Sequence, residues 1–220
     1  MIEKDFAKQR QAMVREQIAA RGITSDLVLR AMAAVPREVF VAPDLQDLAY
    51  ADRPLRIERG QTISQPYIVA LMIELLELKG GEKVLEIGSG SGYSTALLCE
   101  IAGQVFGIER IGVLARQAAA RLAALGYDNV QIRHGDGTLG WPEEAPFDAI
   151  VVTAGGPEVP RSLKTQLKIG GRLAIPVGPD PGDQTLLLVT RASKDDYRSA
   201  DQTGVRFVPL LGEEGWTPAG

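Results

Sequence analysis

The chain has 220 residues, of which 45% are hydrophobic and 24% charged, and its formal net charge is -4. This length is enough for one α/β domain that buries its core without disulfides. The chain has no long basic run, so nucleic acid is not expected as its main partner. The single cysteine, Cys99, excludes an internal disulfide and a cysteine-ligated zinc site, and no metal is expected. No signal peptide or membrane-length apolar segment is found, so a cytoplasmic protein without membrane contact is expected, with a monomer favoured.

The first 79 residues are predicted to form a helical region on the substrate side of the domain. A polar helix at 2–21 ends at Gly22, and residues 24–26 can cap a second helix at 27–35. An irregular connection at 40–61 then leads to the segment 62–67 and to an apolar helix that ends at residue 78. Nothing in this composition indicates an independent domain, so residues 1–220 are predicted to form a single one.

From residue 80 onward, apolar strand patterns alternate with helical patterns, which predicts a doubly wound, mostly parallel sheet with helices on both faces. Residues 80–211 are assigned to this α/β core, the proline-rich and glycine-rich stretch 178–183 to a hairpin turn, and residues 212–220 to a mobile tail. The predicted strands are 83–87, 105–109, 130–133, 147–152, 172–177, 185–190 and 205–210, and the predicted helices are 93–101, 113–125 and 160–167.

A glycine-rich loop follows the first strand of this core. Gly88, Gly90 and Gly92 permit positive φ angles and let a ligand approach the main chain at the start of the next helix. A dinucleotide fingerprint would need a further glycine where Tyr93 stands. Glu86, just before the loop, suits a cationic ligand better than a diphosphate, which favours S-adenosylmethionine. A nicotinamide-dependent oxidoreductase and a purely structural turn are the alternatives.

Ligands of open α/β sheets bind beyond the carboxyl ends of the strands. Glu109 ends the second strand of the core, where it can accept hydrogen bonds from ribose hydroxyls, and Asp136 follows the third, where it can accept one from the adenine amine. Alternatively, Glu109 pairs with Arg110 at a solvated strand end, and Asp136 holds an Asx turn. The candidate cofactor-binding residues are Glu86, Gly88, Ser89, Gly90, Gly92, Glu109, Asp136, Gly137 and Thr153.

Nine segments, spread along nearly the whole chain, carry a resemblance to one protein family. They are 21–23, 35–37, 50–52, 60–67, 84–93, 135–137, 147–153, 170–178 and 205–210. With them the chain closely resembles the protein-L-isoaspartate O-methyltransferases. The segment 62–67, Thr-Ile-Ser-Gln-Pro-Tyr, is the specific part, because methyltransferases at large share the glycine loop but not this segment. The chain departs from the family at Gly155 and Gly156, where alanines are usual, and this difference is expected to loosen the loop.

The resemblance implies a Rossmann-like class I methyltransferase fold. It also implies methyl transfer from S-adenosyl-L-methionine, with S-adenosyl-L-homocysteine as product, to the free α-carboxylate of L-isoaspartyl residues in damaged proteins, which starts repair through a succinimide. The family's active-site serine matches Ser64, so we expect Ser64 to orient the substrate carboxylate, with Thr62 as a helper and Arg206 as a contact for the peptide. The alternatives are a helix N-cap for Ser64 and a structural salt bridge for Arg206.

A carboxylate acceptor explains the lack of an obvious general base. A carboxyl group with a pKa of about 4 is ionised at neutral pH, so the lone histidine, His134, need not be catalytic. Three further functions stay open at this point. They are methylation of another acceptor on the same fold, binding of an adenosyl ligand without catalysis, and aspartimide formation on one dedicated peptide.

Overall fold

A seven-stranded β-sheet organises the chain, which the computed structural model describes from residue 5 to residue 217. Two short strands pair with each other outside this sheet, β1 (Leu55–Arg56) and β2 (Thr62–Ile63). The strands of the large sheet are β3 (Lys83–Ile87), β4 (Gln104–Glu109), β5 (Val130–His134), β6 (Phe147–Val152), β7 (Leu167–Asp180), β8 (Asp183–Arg191) and β9 (Tyr197–Val205). The α-helices are α1 (Phe6–Met13), α2 (Asp26–Ala34), α3 (Pro66–Leu75), α4 (Tyr93–Cys99), α5 (Gly112–Ala124) and α6 (Arg161–Gln166).

The strand order of the large sheet is β5-β4-β3-β6-β7-β8-β9. Neighbouring strands from β5 to β7 run parallel, whereas β8 and β9 are added as antiparallel hairpins. Helices cover both faces, so the predicted α/β class and the mostly parallel, doubly wound sheet are confirmed. Within residues 5–217, no helix is both long and apolar enough to cross a membrane.

The N-terminal region is helical, as predicted, but it is less regular than one continuous helix. After α1 the chain passes through a π-helical turn, Val14–Ile18, and a 3-10 turn, Ala19–Arg21. This helical segment ends at Gly22, whose φ is 96°. Ser25 caps α2 by accepting a hydrogen bond from the backbone N–H three residues later. Residues 2–4 of the predicted helix lie outside the described part of the chain.

The connection predicted to be irregular contains short 3-10 turns and strand β1, which pairs antiparallel with β2. Arg56 lies opposite Thr62 in this pair, and Leu55 lies opposite Ile63. Leu55 and Ile63 are buried, so the other two side chains share the outer face. α3 ends three residues before the predicted position, because Glu77 has a φ of 51° that a helix cannot accommodate.

Alternation along β3 divides the apolar core between the two faces of the sheet. Val84 packs in a cluster with α2, α3 and α4, whereas Leu85 and Ile87 pack in a second cluster that includes α6. All three side chains are at most 2% exposed. Because β3 is central and buried on both sides, the loop at its carboxyl end is held on a rigid support.

The prediction of a last strand at 205–210 is wrong, since the last strand is β9. β9 is an edge strand whose side chains are almost all exposed, so it needs no apolar pattern that would mark it in the sequence. Residues 206–211 leave the sheet after β9. There Pro209 forms a single bridge to Gly155, and Leu210 packs into the second apolar cluster.

Residues 212–217 were expected to belong to a mobile tail, but they have defined partners. The carboxylate of Glu214 accepts hydrogen bonds from the backbone N–H and the hydroxyl of Ser162, both at 2.8 Å. The indole Nε1 of Trp216 donates to the carbonyl oxygen of Gly155 at 3.0 Å. The segment is therefore docked onto the domain, and the three residues beyond it lie outside the described part of the chain.

Gly171 in β7 is a position where a side chain should be costly. A Cβ atom there would lie 2.7 Å from the carbonyl oxygen of Asp148 and 2.8 Å from that of Lys168. Because these are backbone atoms, we expect Gly171→Ala to lower the free energy of unfolding in urea by about 1–3 kcal/mol. Gly204→Ala in β9 is the matched control, since a Cβ there meets nothing within 4 Å. Equal losses in the two variants would contradict the prediction.

Candidate active site

A cavity of about 170 Å³ lies beyond the carboxyl ends of β3, β4 and β6. Its position agrees with the rule that open parallel sheets bind ligands at this edge. The cavity combines apolar walls with a few polar groups. Its lining residues are Gln61, Thr62, Ile87, Gly88, Gly90, Ile108, Glu109, Arg110, Ile111, Gly137, Thr153, Ala154, Val208, Pro209, Leu210 and Leu211.

The glycine loop needs glycine for backbone conformation and for space. The φ angles of Gly88, Gly90 and Gly92 are 90°, 53° and 91°, all in the region that disfavours other residues. A Cβ atom on Gly88 would also lie 2.7 Å from Oγ1 of Thr153. The Thr153 hydroxyl donates to the carbonyl oxygen of Gly88 at 2.6 Å, so the loop is held against the end of β6.

Glu109 connects the glycine loop to the end of β4. Its Oε2 accepts a hydrogen bond from the backbone N–H of Gly90 at 2.9 Å, and its Oε1 accepts one from the N–H of Ile111 at 2.8 Å. The residue is 6% exposed, and it lines the cavity. Each carboxylate oxygen keeps a lone pair for a ligand hydroxyl. With the apolar side chains of Ile108 and Leu210 nearby, the cavity suits a nucleoside that carries a ribose diol.

A second, larger cavity of about 480 Å³ is open to solvent beside the first, and we call it the groove. Thr62 lines both the groove and the first cavity, and Ser64 lines the groove. A small cavity of about 20 Å³ under the glycine loop is lined by Thr62 and Ser64 together with Gly88 and Gly90. The groove is lined by Pro54, Thr62, Ser64, Gln65, Ile68, Gly182, Asp183, Gln184, Gly204, Val205, Arg206 and Phe207.

Ser64 lies between β2 and α3, and its backbone is held while its hydroxyl is free. Its carbonyl oxygen accepts a hydrogen bond from Nη2 of Arg37 at 2.8 Å. The next side chain, Gln65, donates from Nε2 to Oδ2 of Asp52 at 2.8 Å. The N-cap of α3 is Gln65, without a side-chain capping bond, so the alternative of Ser64 as the helix cap is not observed. Within residues 5–217 the Ser64 hydroxyl has no hydrogen-bond partner.

Comparison with known proteins identifies the family. A family model described as "Protein-L-isoaspartate(D-aspartate) O-methyltransferase (PCMT)" matches residues 8–215. Protein-L-isoaspartate O-methyltransferase 1 of Rhodopseudomonas palustris (strain HaA2) is 63% identical over 96% of this chain and 86% of its own length. A second such enzyme, from Pelobacter propionicus (strain DSM 2379 / NBRC 103807 / OttBd1), is 57% identical over 94% of this chain and 92% of its own.

The chain belongs to the protein-L-isoaspartate(D-aspartate) O-methyltransferase family. A solved protein-L-isoaspartate O-methyltransferase superposes with a TM-score of 0.83 and 31% identity, covering 95% of this chain and 67% of that one. A Plasmodium falciparum structure described under the same enzyme name, with bound S-adenosyl-L-homocysteine, gives a TM-score of 0.78 and 28% identity, covering 92% of this chain and 98% of that one. The predicted family, the class I methyltransferase fold and the dependence on S-adenosylmethionine are thereby confirmed, and the chain is an isoaspartate-directed protein methyltransferase.

Glu86 does not line the first cavity, although its carboxylate was expected to face the ligand. The residue is fully buried in β3, where the hydroxyls of Ser94 and Thr95 in α4 donate to its two carboxylate oxygens. Burial raises the pKa of Glu86, and these hydroxyls oppose the rise. Glu86 therefore anchors the helix that follows the glycine loop.

The other loop residues divide between cavity and scaffold. Gly88, Gly90, Gly137 and Thr153 line the first cavity. Ser89 and Gly92 do not line that cavity. Ser89 is 3% exposed and borders only the small cavity under the loop. Gly92 is the N-cap of α4 in the left-handed conformation, and it lies against Ala118 of α5.

Asp136 holds the C-terminal segment and does not itself line the first cavity, although its neighbour Gly137 does. Its Oδ1 accepts hydrogen bonds from the N–H and the hydroxyl of Thr138, which is the Asx-type turn considered as the alternative. Its Oδ2 accepts one from the N–H of Glu213 at 2.8 Å. Burial alone would raise the pKa of Asp136, but these hydrogen bonds and the charge of Arg110 outweigh it and lower the pKa.

The segment 206–211 contributes cavity residues that the sequence analysis missed, including Val208, Leu210 and Leu211. Its apolar run was interpreted as a strand. Gly155 holds the segment, because it donates its N–H to Val208 and accepts at its carbonyl oxygen from Leu210, both at 2.8 Å. The missing Cβ of Gly155 also leaves room for the buried side chain of Gln184, which hydrogen-bonds the backbone of Phe207. Gly155 therefore does not loosen this loop as expected.

Arg206 lines one of the two cavities, whereas His134 lines neither. Arg206 lines the groove, is exposed, and donates from Nε to the carbonyl oxygen of Gly182 at 3.3 Å. It takes part in no ion pair among the described residues, so the alternative of a structural salt bridge is not observed. His134 is exposed and contacts the carbonyl oxygen of Arg110 at 2.9 Å, and it lines neither cavity.

Stability should depend on pH through Asp136. Its pKa is lowered in the folded protein, so its contribution is present above the unfolded value of about 3.9 and is lost as pH falls through the folded value. We expect Asp136→Asn to be less stable than the parent at pH 7, because an amide N–H would face a backbone N–H. The difference in urea midpoint between the parent and Asp136→Asn should become smaller below about pH 4. A gap that stays constant between pH 7 and pH 3 would contradict this assignment.

Proposed function

We propose that this methyltransferase holds an isoaspartyl peptide in the groove and S-adenosylmethionine in the first cavity, with the reaction at Thr62 and Ser64. The observation that carries the proposal is that Thr62 lines both cavities, while Ser64 lines the groove and the small cavity beneath the glycine loop. A group bound in the groove can therefore approach a group bound in the first cavity at this point. The N-terminal region then supplies one wall of the groove, from Pro54 to Ile68, and the α/β core supplies the other wall and most of the first cavity.

The residues proposed to hold the cofactor are Gly88, Gly90, Glu109, Gly137 and Thr153. The chemistry of these groups fits, since a carboxylate and a glycine-rich backbone stand beside apolar walls. S-adenosylmethionine, when bound, supplies an electrophilic methyl group on a sulfonium and is released as S-adenosylhomocysteine. Glu109 accepts hydrogen bonds from the ribose hydroxyls in this scheme. The Thr153 hydroxyl supports the loop from behind.

The substrate supplies the nucleophile without help from a base. The isoaspartyl α-carboxylate is ionised at neutral pH, and one of its oxygens forms the new bond to the methyl carbon while the carbon–sulfur bond breaks. No proton moves in this step. The free Ser64 hydroxyl donates to the other carboxylate oxygen and orients the group, with Thr62 beside it. A single neutral donor fixes the direction of attack and leaves the carboxylate more nucleophilic than a cationic partner would.

The groove is proposed to recognise an extended peptide mainly through its backbone. Gly182 and Gly204 give part of its lining no side chain, which suits substrates of varied sequence. Arg206 offers a cation at the same groove without a carboxylate partner of its own. Because a repair enzyme meets damaged sites in many proteins, contacts to the shared backbone and to the carboxylate serve it better than side-chain pockets.

The same proposal covers the partners and the cellular location. Isoaspartyl proteins and peptides are the macromolecular substrates, and neither nucleic acid nor a membrane takes part. The net charge of -4 supports this, since polyanion-binding surfaces are basic. The enzyme is proposed to act as a monomer in the cytoplasm.

Transfer of labelled methyl from S-adenosylmethionine to two synthetic peptides, which differ only in an aspartyl or isoaspartyl linkage, tests the role of Ser64. We expect a base-labile methyl ester on the isoaspartyl peptide alone. Ser64→Ala should lower kcat/KM about 10- to 100-fold, because the carboxylate loses its orienting hydrogen bond. Ser199→Ala, at an exposed serine of β9, is the matched control. Full activity of Ser64→Ala would overturn the role of the serine, and label on neither peptide would favour a silent adenosyl-ligand binder.

Glu109→Gln should weaken cofactor binding. The substitution replaces one acceptor oxygen with a donor that would face the N–H of Gly90 or of Ile111. We expect the Kd for S-adenosylhomocysteine, measured by calorimetry, to rise about tenfold, which corresponds to about 1.4 kcal/mol. Glu143→Gln, on the surface and 71% exposed, serves as the control. An unchanged Kd in Glu109→Gln would show that this carboxylate does not contact the ligand.

A further inference from the structure

Arg37 is a fully buried arginine that the chemistry above does not use. It follows α2 and is 0% exposed. Its Nε donates to the carbonyl oxygen of Ala49 at 2.7 Å, and its Nη2 donates to that of Ser64 at 2.8 Å. Its third nitrogen, Nη1, has no hydrogen-bond partner among the described residues. The guanidinium carbon lies 4.7 Å from the ring centre of Tyr93.

These contacts join three separate parts of the chain around one side chain. The turn Arg37–Phe40 carries the arginine, the Ser64 segment accepts its hydrogen bond, and Tyr93 is the first residue of α4 after the glycine loop. The ring of Phe40 packs edge-on against that of Tyr93, with centroids 5.6 Å apart. Arg37 therefore fixes the spacing between the groove side and the cofactor side of the site.

A buried guanidinium is an expensive way to fill space. Removing a charge from water is unfavourable, and an apolar side chain of similar volume often stabilises a core equally well. The incomplete pairing of Arg37 makes this cost higher, since Nη1 is left without a partner. The contribution of Arg37 is thus better sought in geometry than in stability, and its planar fork fixes two carbonyl groups in one orientation.

We propose that Arg37 is a positioning residue for Ser64, and this inference rests on the proposed role of that serine. A serine side chain has one rotatable bond before its hydroxyl, so fixing the backbone leaves only a few positions for Oγ. Arg37 holds that backbone at the Ser64 carbonyl group. On the other side of the same turn, Gln65 is tied to Asp52, which pairs with Arg21 at 2.6 Å.

A double-mutant cycle between Arg37→Lys and Ser64→Ala tests the inference. Lysine keeps the charge but cannot reach both carbonyl oxygens, so we expect kcat to fall about tenfold, since small misplacements of a reacting group have large effects on rate. The KM for the isoaspartyl peptide and the Kd for S-adenosylhomocysteine should change less than threefold. In the Ser64→Ala background the same substitution should change kcat less than twofold. Arg198→Lys, on exposed β9, is the matched control.

Three results would overturn the inference, and they differ from one another. Equal losses from Arg37→Lys in both backgrounds, or a Kd for S-adenosylhomocysteine that rises in parallel with the fall in kcat, would leave Arg37 a structural role only. A Ser64→Ala variant with the parent kcat would instead remove the proposed function of the serine. Each kcat is calculated per molecule that binds S-adenosylhomocysteine, so unfolded molecules do not lower the measured value.

A second variant decides the matter if Arg37→Lys does not fold. Tyr93→Leu keeps the arginine but removes the ring on which its guanidinium rests. We expect a loss in kcat of about threefold that disappears in the Ser64→Ala background. A loss that persists in that background would overturn the inference.

Discussion

The site depends on the two hydrogen bonds that the carboxylate of Glu109 accepts from backbone N–H groups. By accepting hydrogen bonds from the N–H groups of Gly90 and Ile111, it ties the loop after β3 to the chain after β4. The bond is possible because β3 and β4 are parallel neighbours in register, with Ile87 opposite Ile108. The positive φ of Gly90 turns its N–H toward the acid. The first cavity, which we propose holds the cofactor, is the space that this tied loop leaves at the edge of the sheet.

Much of the fold could be predicted because its central strands are buried. β3 and β6 have the predicted bounds, since most of their residues are apolar and buried between the helices on the two faces. β9 could not be found in this way, because an exposed edge strand is polar. The apolar run after it was mistaken for a strand, although Leu210 is buried by packing and not by strand pairing. Hydrophobicity reports burial, and it reports strands only where the two coincide.

The site was predictable to the extent that it depends on local motifs. The loop glycines were found from a local motif and Ser64 from the resemblance of the segment 62–67 to the family, and the structure brings them together at neighbouring cavities. Glu86 was assigned to the ligand because it precedes the glycine loop, and Asp136 because it follows a strand end, but their side chains hydrogen-bond to α4 and to the C-terminal segment. Arg37 was missed, because an arginine in a sequence is expected at the surface.

A crystal structure with S-adenosylhomocysteine and an isoaspartyl peptide bound together would show whether the two cavities meet at Ser64 as proposed. We expect the nucleoside in the first cavity with its ribose hydroxyls on Glu109, and the peptide extended in the groove. The α-carboxylate should then lie within hydrogen-bond distance of the Ser64 hydroxyl, about 2.6–3.2 Å between heavy atoms. A peptide carboxylate bound elsewhere, with Ser64 facing only solvent or protein, would contradict the proposal.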